Sequence, residues 1–302
     1  MVNLYTFIFF LLSLIPYRVL YLLLYIIIVL IYRLSPKYKL VFRRNLKLVF
    51  PEMLEKELEG FYKKNSKIIS RIIVDYIKIP RISKTKLEKM FVTDYDDEFK
   101  KYLLTKEKPA ALFLSGHIGS FELLLYFFSN FIYPTSFVAR EFKNDKFDIF
   151  WNKRRTLNNN KLIKRSGAYK KILKALDSNE LVSILFDQNL VRTNAFFPKW
   201  FGKKAATTKS VSAAILAKNP KIFMGGLFYV GYRQYKCQMR NIDFTDLINN
   251  KNITKDEKMK LITQELVYEF EKYIVRYKYQ WFWMHKRWKT TENEKIVEDF
   301  YL

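Results

Sequence analysis

The sequence predicts an α/β protein, a mostly parallel central sheet flanked by helices, with an N-terminal membrane-anchoring helix. Three observations predict it. Short apolar runs of strand length alternate with longer segments of helical periodicity, the pattern of successive βαβ units. Half of the 302 residues are hydrophobic, enough for a large core, while 27% are charged, too many for a polytopic membrane protein. Finally, residues 4–32 form one nearly unbroken apolar run.

A bilayer span takes about 20 apolar residues, and 4–32 is long enough, with Pro16 and Arg18 as its interruptions. Pro16 removes a helical hydrogen bond, so a single membrane helix and a kinked, monotopic insertion both fit, beside a buried core hairpin. A cleaved signal peptide fits worse, because the stretch is too long, has no basic start and has no small-residue cleavage site. Next come Arg33, Lys37, Lys39, Arg43, Arg44 and Lys47 without an acid among them. Positive charge beside a span marks the cytoplasmic side and attracts anionic lipid. This divides the chain into an anchor, 1–35, and a domain, 36–302, placed in the cytoplasm against the membrane.

Within that domain, 52–78 puts Leu54, Leu58, Phe61, Ile68, Ile69 and Ile72 at helical spacing. Residues 110–115, closed by Gly116, read as a buried strand, 120–131 as a helix, 134–139 as a strand, and 145–157 and 168–177 as helices. A strand over 181–186 ends at Asp187, and 205–218 reads as a helix opening with Thr207 and Thr208. Residues 222–230 and 235–240 are strands around a turn, and 255–278 is a long amphipathic helix. No internal repeat or linker interrupts the series, and only 8 Gly and 8 Pro leave little room for low-complexity disorder.

The formal net charge is +25. Such a field attracts nucleic acid, anionic lipid headgroups or an acidic carrier protein, although Lys, Asn, Ile and Tyr are all abundant and part of the excess can be composition alone. The single Cys237 excludes an intramolecular disulfide framework and a cysteine zinc site. Two distant histidines and one cysteine supply no metal-ligand cluster, so no metal or other cofactor is expected.

Functional groups on parallel sheets gather at the C-terminal ends of strands, which singles out His117 and Asp187. His117 stands in Ser115-Gly116-His117-Ile118-Gly119-Ser120-Phe121-Glu122, between a predicted strand and a predicted helix, with glycines on both sides to clear space. On one regular helix His117 and Glu122 would point about 140° apart. They meet more easily with His117 in the turn and Glu122 in the first helical turns. There the carboxylate would hold one imidazole nitrogen and leave the other as a base toward an alcohol.

The same octapeptide resembles the His-x4-Asp/Glu signature of membrane glycerolipid and lipid A acyltransferases. Further blocks are similar to the late acyltransferases of lipid A biosynthesis, in family order over nearly the whole chain: Asn45-Leu46 with Phe50-Pro51-Glu52, Phe137-Val138-Ala139-Arg140 with Asn144, Phe186-Asp187-Gln188-Asn189, Phe196-Phe197-Pro198 with 201–207, and the aromatic-basic box 280–289. Glu141 stands where the family commonly has proline.

The resemblance implies transfer of a fatty acyl group from an acyl carrier protein thioester to a hydroxyl of a lipid A precursor, at the cytoplasmic side of the anionic inner membrane. In that reading 36–302 is the acyltransferase domain, His117 is the general base, and Glu122 orients it and stabilises its imidazolium. The hydroxyl attacks the thioester directly, and Cys237 lies outside every matching block. Arg140 is the candidate donor to the developing oxyanion, with Arg155 second; either guanidinium would also suit an acceptor phosphate. Asp187 and Gln188 are expected to orient Arg140, to bind sugar hydroxyls or to act as a structural cap. Thr207 is a candidate phosphate ligand at a helix start or an ordinary helix cap. Trp281, Trp283 and Trp288 with Lys286, Arg287 and Lys289 suit the membrane interface, and His285 among them reads as structural or interfacial. Phe121, Leu124, Phe127 and Phe128 are either the wall of an acyl tunnel or plain core.

Three other readings stand beside this one. The acceptor is another glycolipid or a phospholipid; or the chain is an inactive scaffold, against which the intact His117 and Glu122 argue; or it is a membrane-tethered nucleic-acid-binding protein, which would use the net charge and the aromatic-basic box. No helix-turn-helix, zinc or recognition-repeat signature supports the last, and no nucleic-acid partner is expected. The readings separate in a simple extraction: an anchored enzyme stays with membranes in high salt and comes off only in detergent, whereas a peripheral nucleic-acid binder washes off in salt.

Overall fold

A computed structural model describes residues 4–293, 300 and 301. The apolar N-terminal run folds as two helices, α1 (Leu4–Leu14) and α2 (Tyr17–Leu34), broken at Pro16, whose ring cannot continue the ladder. Among the described residues α2 alone is, by length and composition, long and apolar enough to cross a bilayer, with a mean hydropathy of 1.9. Two more helices follow, α3 (Pro36–Val49) and α4 (Glu55–Lys78), then the short α5 (Lys84–Glu88).

The α/β body begins with β1 (Phe91–Tyr95), α6 (Asp97–Leu104) and β2 (Ala111–Ser115). After β2 come α7 (Phe121–Phe127), extended by a wider π turn over Phe128–Ile132, then β3 (Thr135–Ala139) and α8 (Asp145–Arg155). Next are β4 (Lys161–Lys164), α9 (Ala168–Asp177) and β5 (Leu181–Leu185). Four two-residue strands, β6 (Ala195–Phe196), β7 (Lys199–Trp200), β8 (Lys203–Lys204) and β9 (Thr207–Thr208), form two small ribbons. The chain then makes α10 (Ser210–Lys218), the hairpin of β10 (Lys221–Gly231) and β11 (Gln234–Asn241), α11 (Thr245–Asn249) and α12 (Lys255–Arg276).

Seven strands form the central sheet in the order β1-β11-β10-β2-β5-β3-β4. Every neighbouring pair is parallel except β10 with β11, so the sheet is mostly parallel, as the alternation of elements predicts. Strand β2 lies near the middle and all five of its residues are buried, which is why it reads as an unbroken apolar run rather than an alternating one. Its register with β5 pairs Ser115 with Leu185. The two strands therefore end level, and the residues that follow each, Gly116-His117 and Phe186-Asp187, emerge side by side.

Three features differ from expectation. Strands β1 and β4 lie at the two edges of the sheet, where half-polar sequences such as Phe-Val-Thr-Asp-Tyr suffice and no long apolar run announces them. The helix expected over 205–218 starts at Ser210, because Thr207 and Thr208 are extended and pair with β6. The aromatic-basic box does not face a membrane interface: Trp281, Trp283 and Trp288 are each at most 2% exposed, and Arg287 is fully buried. Each indole finds an internal acceptor, Asp187 for Trp281, the Lys278 carbonyl for Trp283 and the Lys203 carbonyl for Trp288. The Arg287 guanidinium lies 4.4 Å from the Trp200 ring and donates to the Ala206 carbonyl at 2.6 Å, which offsets the cost of burying a charge.

One buried acid joins the helical layer to the sheet. Asp75 on α4 is buried and accepts from Tyr235 Oη on β11 at 2.7 Å. Burial raises its carboxyl to about 6, against the pull of Tyr235 and Arg233. The folded state therefore holds this proton more tightly than the unfolded chain, so the contribution is full below about pH 4 and is lost as pH rises through 6. Stability in chemical denaturation should fall by about 1–3 kcal/mol over that interval, and Asp75→Asn should flatten the slope.

Candidate active site

The site is the turn between β2 and α7 set against the end of β5. A Cβ on Gly116 would lie 2.7 Å from Asp187 Cγ and 2.3 Å from Phe270 Cζ, so only glycine lets the carboxylate approach. Gly119 has φ +61°, and a Cβ there would meet the Leu227 carbonyl oxygen at 2.3 Å. Between them the His117 amide donates to Asp187 Oδ2 at 2.8 Å, and His117 Nδ1 lies 2.7 Å from Asp187 Oδ1. Trp281 Nε1 donates to Asp187 Oδ2 at 2.8 Å. Burial alone would raise the Asp187 carboxyl, which is 2% exposed, but the His117 ring and these donors hold it down to about 2. An ionised Asp187 makes Nδ1 the protonated ring nitrogen and leaves Nε2 with a free lone pair.

The box that was expected at the membrane holds this turn in place. Ile118 bridges to Trp281, the Phe282 amide donates to the His117 carbonyl at 2.9 Å, and the Gly119 amide donates to the Gln280 carbonyl at 3.1 Å. Gln280 in turn brackets Tyr229 of β10, accepting from its amide and donating to its carbonyl, both at 2.8 Å. Asn45 of α3 donates to the carbonyls of Trp283 and His285 at 2.7 and 2.8 Å. His285 is structural: burial pulls its imidazole down to about 4, and its Nε2 accepts from the Asn189 amide at 2.8 Å.

His117, 22% exposed at its side chain, opens on a cavity of about 600 Å³ that also touches Phe121, Glu122, Arg140, Gln188 and Ile184. That size falls within the roughly 300–1,000 Å³ of small-molecule sites. Leu124 reaches the same wall, whereas Phe127 and Phe128 are buried in the core beneath it.

Glu122 lines the cavity but does not orient His117. Its carboxylate accepts from Arg155 Nε at 2.9 Å, from Arg155 Nη2, and from Trp151 Nε1 at 3.2 Å. The first turn of α7 carries Glu122 toward α8, while the level ends of β2 and β5 bring Asp187 to the histidine. Asp187, expected to orient Arg140, to bind a sugar or to act as a structural cap, is thus the imidazole's partner, and Arg155 is an ion-pair partner rather than an open oxyanion donor. Arg140 is exposed at the cavity wall with no hydrogen bond or ion pair among the described residues, and Gln188 lies beside the same space. Thr207 is buried away from it; its hydroxyl accepts from Trp200 Nε1 at 2.9 Å and from Arg287 and donates to the Ala205 carbonyl, so it is neither helix cap nor open phosphate ligand. Trp281, Trp151 and Gln280 are site-building residues that periodicity does not reveal. Among the described residues no cluster of His, Cys, Asp or Glu could hold a metal ion.

The family model described as bacterial lipid A biosynthesis acyltransferase matches residues 1–290. A comparison of the chain with curated proteins gave no match. The pairing of His117 is open to direct measurement by ¹⁵N NMR of the histidine rings. The neutral His117 ring should show the Nδ1-protonated tautomer. Asp187→Asn should abolish that preference and Glu122→Gln should leave it; the opposite pattern would restore Glu122 as the partner.

Proposed function

The chain belongs to the bacterial lipid A biosynthesis acyltransferase family, which carries a lipid acyltransferase role, and on that premise we propose that it moves a fatty acyl group from an acyl carrier protein thioester to a hydroxyl of a lipid A precursor at the cytoplasmic face of the inner membrane. The observation that carries this reading is the His117–Asp187 pair, with its free Nε2 at the wall of a largely apolar cavity.

In the proposed reaction His117 Nε2 takes the proton of the acceptor hydroxyl, and the oxygen attacks the thioester carbon. Asp187 keeps the ring in the productive tautomer and stabilises the imidazolium that forms, the division of labour of a Ser-His-Asp triad without its serine. As the tetrahedral intermediate collapses, the carbon–sulfur bond breaks and the carrier thiolate recovers the proton from Nε2. Arg140 is an open cation on the cavity wall, which Arg165 and Lys209 also line, and is the candidate donor to the oxyanion. Arg155, neutralised by Glu122, serves instead to hold α8 against α7 beside the histidine. The net charge of +25 suits both an acidic carrier protein and anionic lipid. The apolar surface of α1 and α2 fits a place at the membrane.

The test is incubation of purified protein with acyl carrier proteins bearing several chain lengths and a tetra-acylated lipid A precursor, read by mass spectrometry. We expect a gain of one acyl group, abolished in His117→Ala and lowered about 10³–10⁴-fold in kcat by Asp187→Asn, as when a triad loses its carboxylate. No gain with any donor would move the search to another glycolipid or a phospholipid acceptor. A gain that survives His117→Ala would keep the reaction and remove the base.

A further inference from the structure

Helix α2 has two apolar faces, and only one is covered. Leu20, Leu24, Ile28 and Tyr32, four residues apart, turn toward α4: Tyr32 stacks on Tyr62 at 3.6 Å, Tyr62 Oη donates to the Ile28 carbonyl at 2.5 Å, and Leu20 packs with Val74 and Ile77. The helix thus lies antiparallel along α4 for nearly its whole length. Helix α1 is docked as well, with Tyr5 and Phe9 against Phe147, Phe150 and Trp151 of α8. At the elbow, Lys78 Nζ donates to the Ser13 and Ile15 carbonyls at 2.9 and 2.6 Å, oxygens that the break at Pro16 leaves without helical partners.

This docking does not allow α2 to cross a bilayer. At about 27 Å for its eighteen residues, α2 would have to stand nearly upright to reach across a hydrocarbon core about 30 Å thick. Upright, α2 would carry α4 to the same depth, with Arg71 near the middle of the paired stretch and Lys63, Lys64 and Lys67 exposed toward the Tyr32 end, and a charge at the bilayer centre costs about 2.5–3.5 kcal/mol. Yet the outer face is not made for water. Val19, Leu22, Leu23, Ile26, Ile27 and Leu30 are 45–53% exposed at helical spacing, and α1 continues the surface with Phe7 and Phe10. An apolar stripe of this size on a folded protein marks an interaction site.

Charge decides the occupant. No acid occurs before Glu52, and exposed cations lie at both ends of α2: Arg18 at its start and Lys37 and Lys39 just past its end, none with an ion-pair partner among the described residues. A spanning helix biases its positive charge to one side. A helix lying in the interface presents both ends to the headgroups of the same leaflet.

We propose that α1 and α2 form a monotopic platform lying in the plane of one leaflet of an anionic bilayer, with Arg18, Lys37 and Lys39 on its headgroups. The proposal rests on the membrane location given above, not on the transfer chemistry. The platform reaches the site directly: α1 packs on Trp151, whose Nε1 donates to Glu122 on the cavity wall. A lipid acceptor therefore enters sideways from the leaflet rather than from solution.

Cys237 is the sole cysteine and is buried, so introduced thiols label over a low background. Arg18→Cys and Lys37→Cys in the full chain are treated with a membrane-impermeant maleimide in inverted and in right-side-out inner-membrane vesicles. Both sites should react in inverted vesicles and neither in right-side-out ones. Arg18→Cys labelled only from the outer side would establish a span, single or hairpin, and overturn the platform. Arg18→Cys unreactive from either side until detergent is added would place the elbow in hydrocarbon and also overturn it. Release of the protein by high salt without detergent would overturn the membrane location itself. Acyl transfer measured on the same membranes reports the chemistry separately: lost activity with the expected labelling removes the proposed reaction and leaves the platform.

Discussion

The Asp187 carboxylate is the constraint on which the site depends. An ionised group removed from water is costly unless its lone pairs are filled, and Asp187 fills them from two distant parts of the chain. The amide and ring of His117 come from the turn after β2, and the indole of Trp281 comes from the C-terminal segment. Those requirements propagate outward. Gly116 must lack a side chain because the carboxylate stands where its Cβ would be. The ends of β2 and β5 must be level, which the register of Ser115 with Leu185 secures. The C-terminal segment must pass directly over the turn, which its bridge at Ile118 achieves.

That segment works as a clamp rather than as a surface. It holds the histidine turn by backbone hydrogen bonds, β10 by Gln280, α3 by Asn45 and the ribbon at 206–207 by Arg287. Tyr301 adds a bond from its Oη to Asn45 Oδ1 at 2.6 Å. Residues more than 230 positions apart in sequence are thereby joined around one buried charge. Bulky indoles suit the task because each buries a large apolar area and still offers one donor that needs a single acceptor.

Much of this was legible in the sequence, and the failures have physical causes. The central strands are buried on both faces, so β2 and β5 appear as apolar runs and the strand-end rule points to both His117 and Asp187. What the rule cannot supply is which carboxylate meets the imidazole. Glu122 is near His117 in sequence, but the helix turns it toward Arg155 and Trp151; Asp187 is 70 positions away and adjacent through strand pairing. Edge strands β1 and β4 and the helix start at Ser210 were hidden because their residues answer to pairing partners rather than to a local period. Trp281, Trp283 and Trp288 look interfacial in the sequence because alternation of aromatic and basic residues is the same in a buried clamp and at a membrane surface. Only the acceptors of their N–H groups tell the two apart.

The Glu122–Arg155 pair acquires its sense from where it stands. It lies between the cavity and the face of α8 on which α1 rests, and Trp151 touches both, through its indole nitrogen on one side and its ring on Phe9 on the other. A guanidinium so placed would compete with Arg140 for any anion entering the cavity if it were free. Matched by a carboxylate with two of its donors, it is electrically quiet and mechanically stiff. The cavity keeps Arg140 as an open cation, with Arg165 and Lys209 also on its lining, and a wall whose position follows that of α8, on which α1 rests. In the proposed reaction this arrangement separates two tasks that a single arginine would confuse: Arg140 answers to the charge that develops on the substrate, and Arg155 keeps the membrane-side helices in register with His117.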